Sequence, residues 1–218
     1  MKPYVLFLYL SSILLSVIMA FVYRADLKRR GLFILFPYLL LVFIQELCVF
    51  FYIREVPKAN TSIIYNFYRI ITVVTFSILF YQIPFRPIVK KIILLLLFLY
   101  LVLIIITFLF LQSIYSQSNY PATAGGLIIT GYAIYFLFFY FSLDNAEQEK
   151  QWQPMILIAI GLATFYPVVN ISNAFHKHLL SYNATIFGMR LYNLVPQVMS
   201  IFMYCCFARA FYLCKRKN

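Results

Sequence analysis

Two polar residues, Asn66 and Arg69, lie inside an apolar segment that is long enough to cross a membrane. They are three residues apart, so they lie on neighbouring positions of one helix face. A charged side chain inside a bilayer is costly and normally faces protein or water rather than lipid. The chain has six carboxylate residues, and Glu46 is the one that lies well inside another apolar segment. The sequence therefore predicts an intramembrane ion pair between Glu46 and Arg69, surrounded by a polar pocket.

Polar residues also recur at helical spacing in two later apolar segments. The first set is Tyr166, Asn170 and Asn173, and the second set is Arg190, Asn193 and Gln197. Intervals of three and four residues place each set on one helix face. Together they give a predicted ligand-binding site formed by Glu46, Asn66, Arg69, Tyr166, Asn170, Asn173, Arg190, Asn193 and Gln197. The alternative is a network of polar contacts that only fixes the order of the helices.

The composition identifies the class of protein. The 218 residues are 64% hydrophobic and 11% charged, whereas soluble domains average about 25% charged residues. The net charge of +12 does not indicate nucleic-acid binding, because the basic residues lie at the ends of apolar segments. The sequence thus predicts an all-α polytopic membrane protein whose environment is a lipid bilayer.

Seven apolar segments each approach the ~20 residues that a membrane-spanning helix needs. The predicted helices cover approximately 3–23, 32–52, 62–81, 90–112, 122–143, 154–176 and 188–213 of a single seven-helix domain, residues 1–218. The connections between them are short, so no soluble domain is predicted.

The lysines and arginines predict the orientation. An N-terminus outside and a C-terminus in the cytoplasm place twelve of them on the cytoplasmic side: Arg24, Lys28, Arg29, Arg30, Arg86, Lys90, Lys91, Lys150, Arg209, Lys215, Arg216 and Lys217. The opposite side receives four, Lys2, Arg54, Lys58 and Lys177. Cytoplasmic loops of membrane proteins carry an excess of basic residues, which favours this orientation. It places the predicted site in the outer half of the membrane.

The fourth segment differs from the others. Between Ile92 and Leu111 its only polar residues are Tyr100 and Thr107. A helix that is apolar on all sides faces lipid or packs against other helices. We therefore expect this helix to contribute nothing to the binding of a polar ligand.

The sequence predicts neither a metal site nor a cofactor. His176 and His178 have the spacing of metal ligands, but no acid or cysteine clusters beside them. The four cysteines do not form a disulfide pattern in the predicted outer loops.

A weak internal repeat links the two halves of the chain. A shift of 127 residues places Tyr65-Asn66 on Tyr192-Asn193, and Glu46 on Asn173. Helices two and three then correspond to helices six and seven, and helix four becomes a linker. This 3+1+3 pattern predicts a parallel repeat with a binding site between its halves.

The chain resembles a family of small seven-helix membrane proteins of Bacteroidota bacteria, to which no function is assigned. The resemblance rests on Tyr65-Asn66-Phe67-Tyr68, the apolar fourth helix and the basic tail Lys215-Arg216-Lys217. It implies the cytoplasmic (inner) membrane of a bacterium as the location. The 3+1+3 order is also similar to that of SWEET-type and PnuC-type transporters, although their diagnostic motifs are missing.

Three functions are compatible with this pattern. The first is a receptor-like sensor or binding protein that takes a small polar or zwitterionic ligand and acts on a cytoplasmic signalling partner or within a homo-oligomer. The second is a small-molecule transporter, and the third is an intramembrane enzyme that uses Glu46 as acid or base. Few polar residues lie in the cytoplasmic half, so the sequence favours binding over transport and does not indicate catalysis.

Overall fold

The computed structural model describes residues 3–56, 60–116, 119–142, 146–175, 185–186 and 189–215. Its helices are α1 (Pro3–Val22), α2 (Arg24–Arg29), α3 (Leu35–Glu55), α4 (Ser62–Tyr81), α5 (Pro87–Ile106), α6 (Asn119–Phe141), α7 (Ala146–Ala174) and α8 (Leu191–Leu213). A π-helical turn, Thr107–Leu111, extends α5. Two short strands, β1 (Thr185–Ile186) and β2 (Met189–Arg190), form an antiparallel pair before α8.

Seven helices in the described part of the chain are long and apolar enough to span a membrane, which is the number that the sequence predicts. Among the described α-helices, α2 is too short to do so. The second spanning helix begins three residues later than predicted, at Leu35 instead of residue 32.

A glycine turn explains that delay. Gly31 follows α2 with a φ of 71°, a left-handed conformation that glycine adopts without strain. The Leu32 amide donates to the Leu27 carbonyl (2.9 Å), and the Gly31 amide donates to the Lys28 carbonyl (3.3 Å). These two bonds form a Schellman motif, in which the apolar residues at both ends also pack together. Leu27 and Leu32 are both buried, so the motif holds α2 against the bundle.

The spanning helices form a ring with one helix outside it. Helix α1 packs against α3 and α8, α4 packs against α3, α5 and α6, and α7 packs against α6 and α8. The order around the ring is therefore α1, α3, α4, α6, α7 and α8. Helix α5 lies on the outer side of α4 and α6.

Aromatic residues fill the half of the ring that contains the C-terminal ends of α4, α6 and α8. The fully buried members are Phe76, Phe80, Phe136, Phe207 and Phe211. Edge-to-face contacts join Phe76 to Phe207 and Phe80 to Phe136, each with ring centroids 6.4 Å apart. Such pairs are favoured by the charge distribution of the rings as well as by their buried area. This half of the bundle is consequently a packed apolar core.

Candidate functional site

The other half of the ring encloses a polar cavity of about 240 Å³. All seven membrane-spanning helices contribute to its wall. The polar lining residues are Tyr9 of α1, Glu46 of α3, Tyr65, Tyr68, Arg69 and Thr72 of α4, Tyr100 of α5, Tyr166, Asn170 and Asn173 of α7, and Ser200 and Tyr204 of α8. Apolar residues, among them Val73, Ile129 and Phe165, separate these groups.

Five of the nine residues of the predicted site line this one cavity: Glu46, Arg69, Tyr166, Asn170 and Asn173. The three residues of α7 lie on a single face, as their spacing predicts. Val169 and Phe165 complete that face.

Asn66 has a different place from the one predicted. Its side chain is buried, and its amide donates hydrogen bonds of 3.0 Å to the carbonyls of Ile114 and Ser116. Asn66 therefore fastens α4 to the segment between α5 and α6 and is not among the lining residues of the cavity. Asn66 lies near the start of α4, where the segment between α5 and α6 passes close enough for two of its carbonyls to accept from the Asn66 amide.

The predicted residues of the last helix are not among the lining residues of the cavity where the structure describes them. Arg190 is exposed just before α8, and Gln197 lies within α8, but neither is among the described lining residues. The side chain of Asn193 is outside the described part of the chain. The polar stripe that these residues begin continues at the same spacing to Ser200 and Tyr204, and those two residues line the cavity.

The prediction of a direct Glu46–Arg69 ion pair is wrong. The carboxylate of Glu46 interacts with the hydroxyl groups of Tyr9 and Tyr65. Arg69 interacts electrostatically with Tyr65, Tyr68 and Tyr100. The physical reason is the packing of α3, which lies mainly against α1, so that Glu46 faces Tyr9.

Tyr65 connects the two charged residues instead. It lies four positions before Arg69 on α4, which places the two side chains one above the other. Its hydroxyl interacts with Glu46, and it also feels the charge of Arg69. The cavity thus holds one acidic and one basic side chain, with a tyrosine between them.

Helix α5 contributes to the site, contrary to the expectation from its apolar sequence. Tyr100 is 1% exposed and lines the cavity beside Arg69. Its hydroxyl oxygen is buried and has no hydrogen-bond partner among the described residues. A buried hydroxyl without a partner carries a desolvation cost of about 1–3 kcal/mol, which a bound group could remove.

A cluster of hydroxyl groups forms part of the cavity wall, between α3, α4, α7 and α8, and includes Tyr38, which is not among the lining residues. Tyr38 and Tyr68 share a hydrogen bond of 3.0 Å, and their rings are stacked with centroids 6.3 Å apart. Thr72 donates to the Tyr68 carbonyl (2.8 Å) and approaches the Tyr38 hydroxyl at 3.4 Å. Tyr166 interacts with Tyr38, and Tyr204 with Tyr68. Connected hydroxyl groups of this kind reinforce one another and hold the tyrosine rings in place.

Two adjacent glycines of α6 allow the wall to close around the cavity. A Cβ atom on Gly125 would lie 2.7 Å from Val73 Cγ2 and 3.2 Å from the Tyr100 hydroxyl oxygen. A Cβ atom on Gly126 would lie 2.6 Å from Asn170 Nδ2. The Asn170 amide also donates to the Thr123 carbonyl (3.2 Å). The glycines thus allow Tyr100 and Asn170 to approach the backbone of α6.

Apart from Tyr166, the tyrosines of the cavity are site residues that sequence reasoning missed. Tyr65 and Tyr68 carry a usable signal, because together with Arg69 and Thr72 they follow the helical spacing of α4. Tyr9 is followed by Ser12 and Ser16 at helical spacing, which is a weaker signal, whereas the neighbours of Tyr100 in α5 are apolar and no spacing distinguishes it from a lipid-facing aromatic.

His176, His178 and Lys177 lie outside the described residues. Within the described part of the chain, no group of three or more histidine, cysteine or acidic residues is close enough to hold a metal ion.

The fold and the cavity define a polytopic integral membrane protein with seven spanning helices and a polar chamber in one half of the bundle. Comparison with protein families, curated proteins and solved structures finds no match for the chain. The chemistry of the cavity is therefore the basis on which its function is inferred.

Proposed function

We propose that this protein binds a small polar or zwitterionic ligand in the seven-helix cavity and acts as a receptor-like sensor or binding protein. The observation that carries the proposal is the lining itself. An acidic residue, a basic residue, two amides and several tyrosines face one space inside an otherwise apolar bundle. Ligand sites are usually concave and mostly apolar, with a few polar groups that fix the orientation of the ligand.

The aromatic core supports binding over transport. A transporter needs a path that continues to the other side of the membrane, whereas Phe76, Phe80 and Phe207 are fully buried beyond the cavity. The alternative to a binding protein is a transporter of the 3+1+3 type. In such a transporter the fourth spanning helix is a linker, and α5 lies outside the ring of the other six helices. The internal repeat belongs to this alternative.

Catalysis by Glu46 has less support. Its carboxylate is engaged by the hydroxyl groups of Tyr9 and Tyr65. An acid or base acts in catalysis only when it reaches the proton to be moved.

The cavity opens toward the outside in the proposed orientation, with the N-terminus outside and the C-terminus in the cytoplasm. Arg86, Lys90 and Lys91 lie at the start of α5, and Arg209 lies near the end of α8. These helix ends are on the side of the bundle opposite the cavity. The basic side then faces the cytoplasm, where a signalling partner or a second copy of the chain would receive the signal. The proposed location is the cytoplasmic membrane of a bacterium.

Mass spectrometry of the purified protein tests ligand binding. Wild-type protein, Glu46→Gln and the matched control Glu55→Gln are purified in detergent and then denatured to release bound small molecules. Glu55 is an exposed carboxylate at the end of the same helix. We expect a compound that is released by the wild type and the control but not by Glu46→Gln.

Two results would count against the proposal. If no compound is enriched with the wild type, the cavity is not a ligand site. If the released compound accumulates inside proteoliposomes that contain the protein, the protein is a transporter rather than a sensor.

A further inference from the structure

We infer that the ligand of the cavity carries an acidic group, and that Tyr100 and Arg69 bind its carboxylate. This inference rests on the proposed function and specifies the chemical class of the ligand. It assigns to α5, the outer helix of the bundle, the role of recognising a small organic acid.

The first step of the argument is the buried hydroxyl of Tyr100. Tyr100 is 1% exposed, lines the cavity and has a hydroxyl oxygen without a partner among the described residues. Buried polar groups in proteins nearly always have a hydrogen-bond partner, so each exception needs an explanation. A ligand oxygen that accepts from the Tyr100 hydroxyl supplies that partner.

The second step is the charge beside it. Arg69 lines the same cavity, and its guanidinium and the phenol of Tyr100 interact electrostatically. A guanidinium offers only donors, and a phenol can donate one hydrogen. A set of donors with a positive charge matches an anionic acceptor, and the planar guanidinium fits a planar carboxylate through two parallel bonds.

The third step is the position of the acidic residue, Glu46, in the wall of the cavity. The carboxylate of Glu46 interacts with Tyr9 and Tyr65, on the side where α3 meets α1. Tyr100 lies on the opposite side of α4, where Gly125 of α6 approaches its hydroxyl. Glu46 and Tyr100 thus lie on different sides of α4, and a ligand carboxylate would lie against the unpartnered hydroxyl of Tyr100.

The size of the cavity favours a small acid over a complete lipid. Every spanning helix contributes to the wall, and the volume of about 240 Å³ lies just below the roughly 300–1,000 Å³ of common ligand pockets. A small carboxylate fits this space. A phospholipid with two acyl chains does not.

Two probes of equal size and opposite charge test the inference. Butyrate and butylammonium are titrated into wild-type protein in detergent, and affinity is measured from the rise in thermal-unfolding temperature. We expect butyrate to stabilise the protein and butylammonium to have a smaller effect. Tyr100→Phe should weaken butyrate binding at least about tenfold, the loss that corresponds to one hydrogen bond to a charged group.

Tyr132→Phe is the matched control. The Tyr132 hydroxyl donates to the Ile93 carbonyl (3.2 Å), and Tyr132 is not among the residues that line the polar cavity. The Tyr132→Phe substitution removes one hydroxyl group from a buried tyrosine without changing the polar cavity, so the affinity for butyrate should stay at the wild-type value. Arg69→Lys provides a second variant, which keeps the charge but loses the planar fork, and it should also weaken butyrate binding.

The opposite results would overturn the inference. They are stabilisation by butylammonium alone, binding of neither probe, or an unchanged butyrate affinity in Tyr100→Phe. Failure of this inference differs from failure of the proposed function. A released compound without an acidic group would contradict the inference and leave ligand binding in place.

Discussion

At the scale of single residues, Asn66 joins α4 to the segment between α5 and α6 through hydrogen bonds. The side chain of Asn66 is buried, and its amide donates hydrogen bonds to the carbonyls of Ile114 and Ser116. Asn66→Leu should lower the free energy of unfolding by about 2–4 kcal/mol, because two hydrogen bonds are lost and two carbonyls are left without partners. Thermal unfolding in detergent measures the effect.

Asn60→Ala is the control for this prediction. Asn60 donates to the Tyr115 carbonyl (2.8 Å), and its Oδ1 accepts from the Ser62 amide (3.0 Å), but both contacts are exposed. Water can replace the lost bond, so the change should stay below about 0.5 kcal/mol. Equal stability of Asn66→Leu and wild type would show that the amide does not hold the segment.

Cys214 provides a pH-dependent test outside the membrane-spanning helices. Burial raises the pKa of the Cys214 thiol to about 11. An unfolded chain releases the thiol proton at a lower pH, so stability is complete below about pH 9 and falls by up to about 2 kcal/mol as the pH approaches 11.

A variant with Cys48, Cys205 and Cys206 changed to alanine isolates this thiol. Maleimide should react with folded protein at pH 8 about 100-fold more slowly than with unfolded protein, because reaction needs the thiolate. Equal rates for folded and unfolded protein would refute the burial of Cys214.

The residue scale also shows where sequence reasoning ends. The stripe Tyr166, Asn170 and Asn173 was predictable, because three polar residues at helical spacing stand out in an apolar helix. The role of Tyr100 was not predictable, because no stripe of polar residues marks a single tyrosine in an apolar helix. The Glu46–Arg69 pair failed for a related reason, since the hydroxyl groups that surround Glu46 belong to tyrosines that count as apolar in a hydropathy profile.

At the scale of elements, helix α6 determines the shape of the cavity through its glycines. A side chain at Gly125 or Gly126 would collide with Val73, Tyr100 or Asn170. Gly125→Ala and Gly126→Ala should each lower stability by about 1–3 kcal/mol, the usual cost of overpacking. The free energy of unfolding in detergent and the affinity for butyrate measure the two consequences.

Gly131→Ala is the matched control on the same helix. No atom lies within 4 Å of a Cβ placed there. Alanine is the better helix former by about 0.5–1 kcal/mol, so this variant should be as stable as the wild type or slightly more stable. A loss of stability in Gly131→Ala equal to that of Gly126→Ala would show that the contact with Asn170 does not matter.

The arrangement of elements was only partly predictable. Hydropathy locates the seven spans, because a bilayer requires about 20 apolar residues in each. It does not show that α3 packs mainly on α1, or that α5 reaches the site from outside the ring. Those features depend on small residues such as Gly125, whose effect appears only when two helices are placed side by side.

At the scale of the whole molecule, buried polar residues and buried aromatic residues lie in different halves of the bundle along its axis. One half holds the cavity with Glu46 and Arg69, and the other half holds the buried phenylalanines of α4, α6 and α8. In the proposed orientation the cavity faces outward and the aromatic half closes the cytoplasmic side. The orientation therefore decides from which side a ligand enters.

Labelling of single cysteines in intact cells tests that orientation. In a variant without native cysteines, Ser113→Cys places a thiol in the exposed segment between α5 and α6, and Gln148→Cys places one in the first turn of α7. A maleimide that does not cross membranes should label position 113 in intact cells. It should label position 148 only after permeabilisation, because the proposed orientation, based on the excess of lysine and arginine, places that side of the bundle in the cytoplasm. The control is detergent-solubilised protein, in which both positions should react. Labelling of position 148 but not 113 in intact cells would reverse the orientation, and the cavity would then receive its ligand from the cytoplasm.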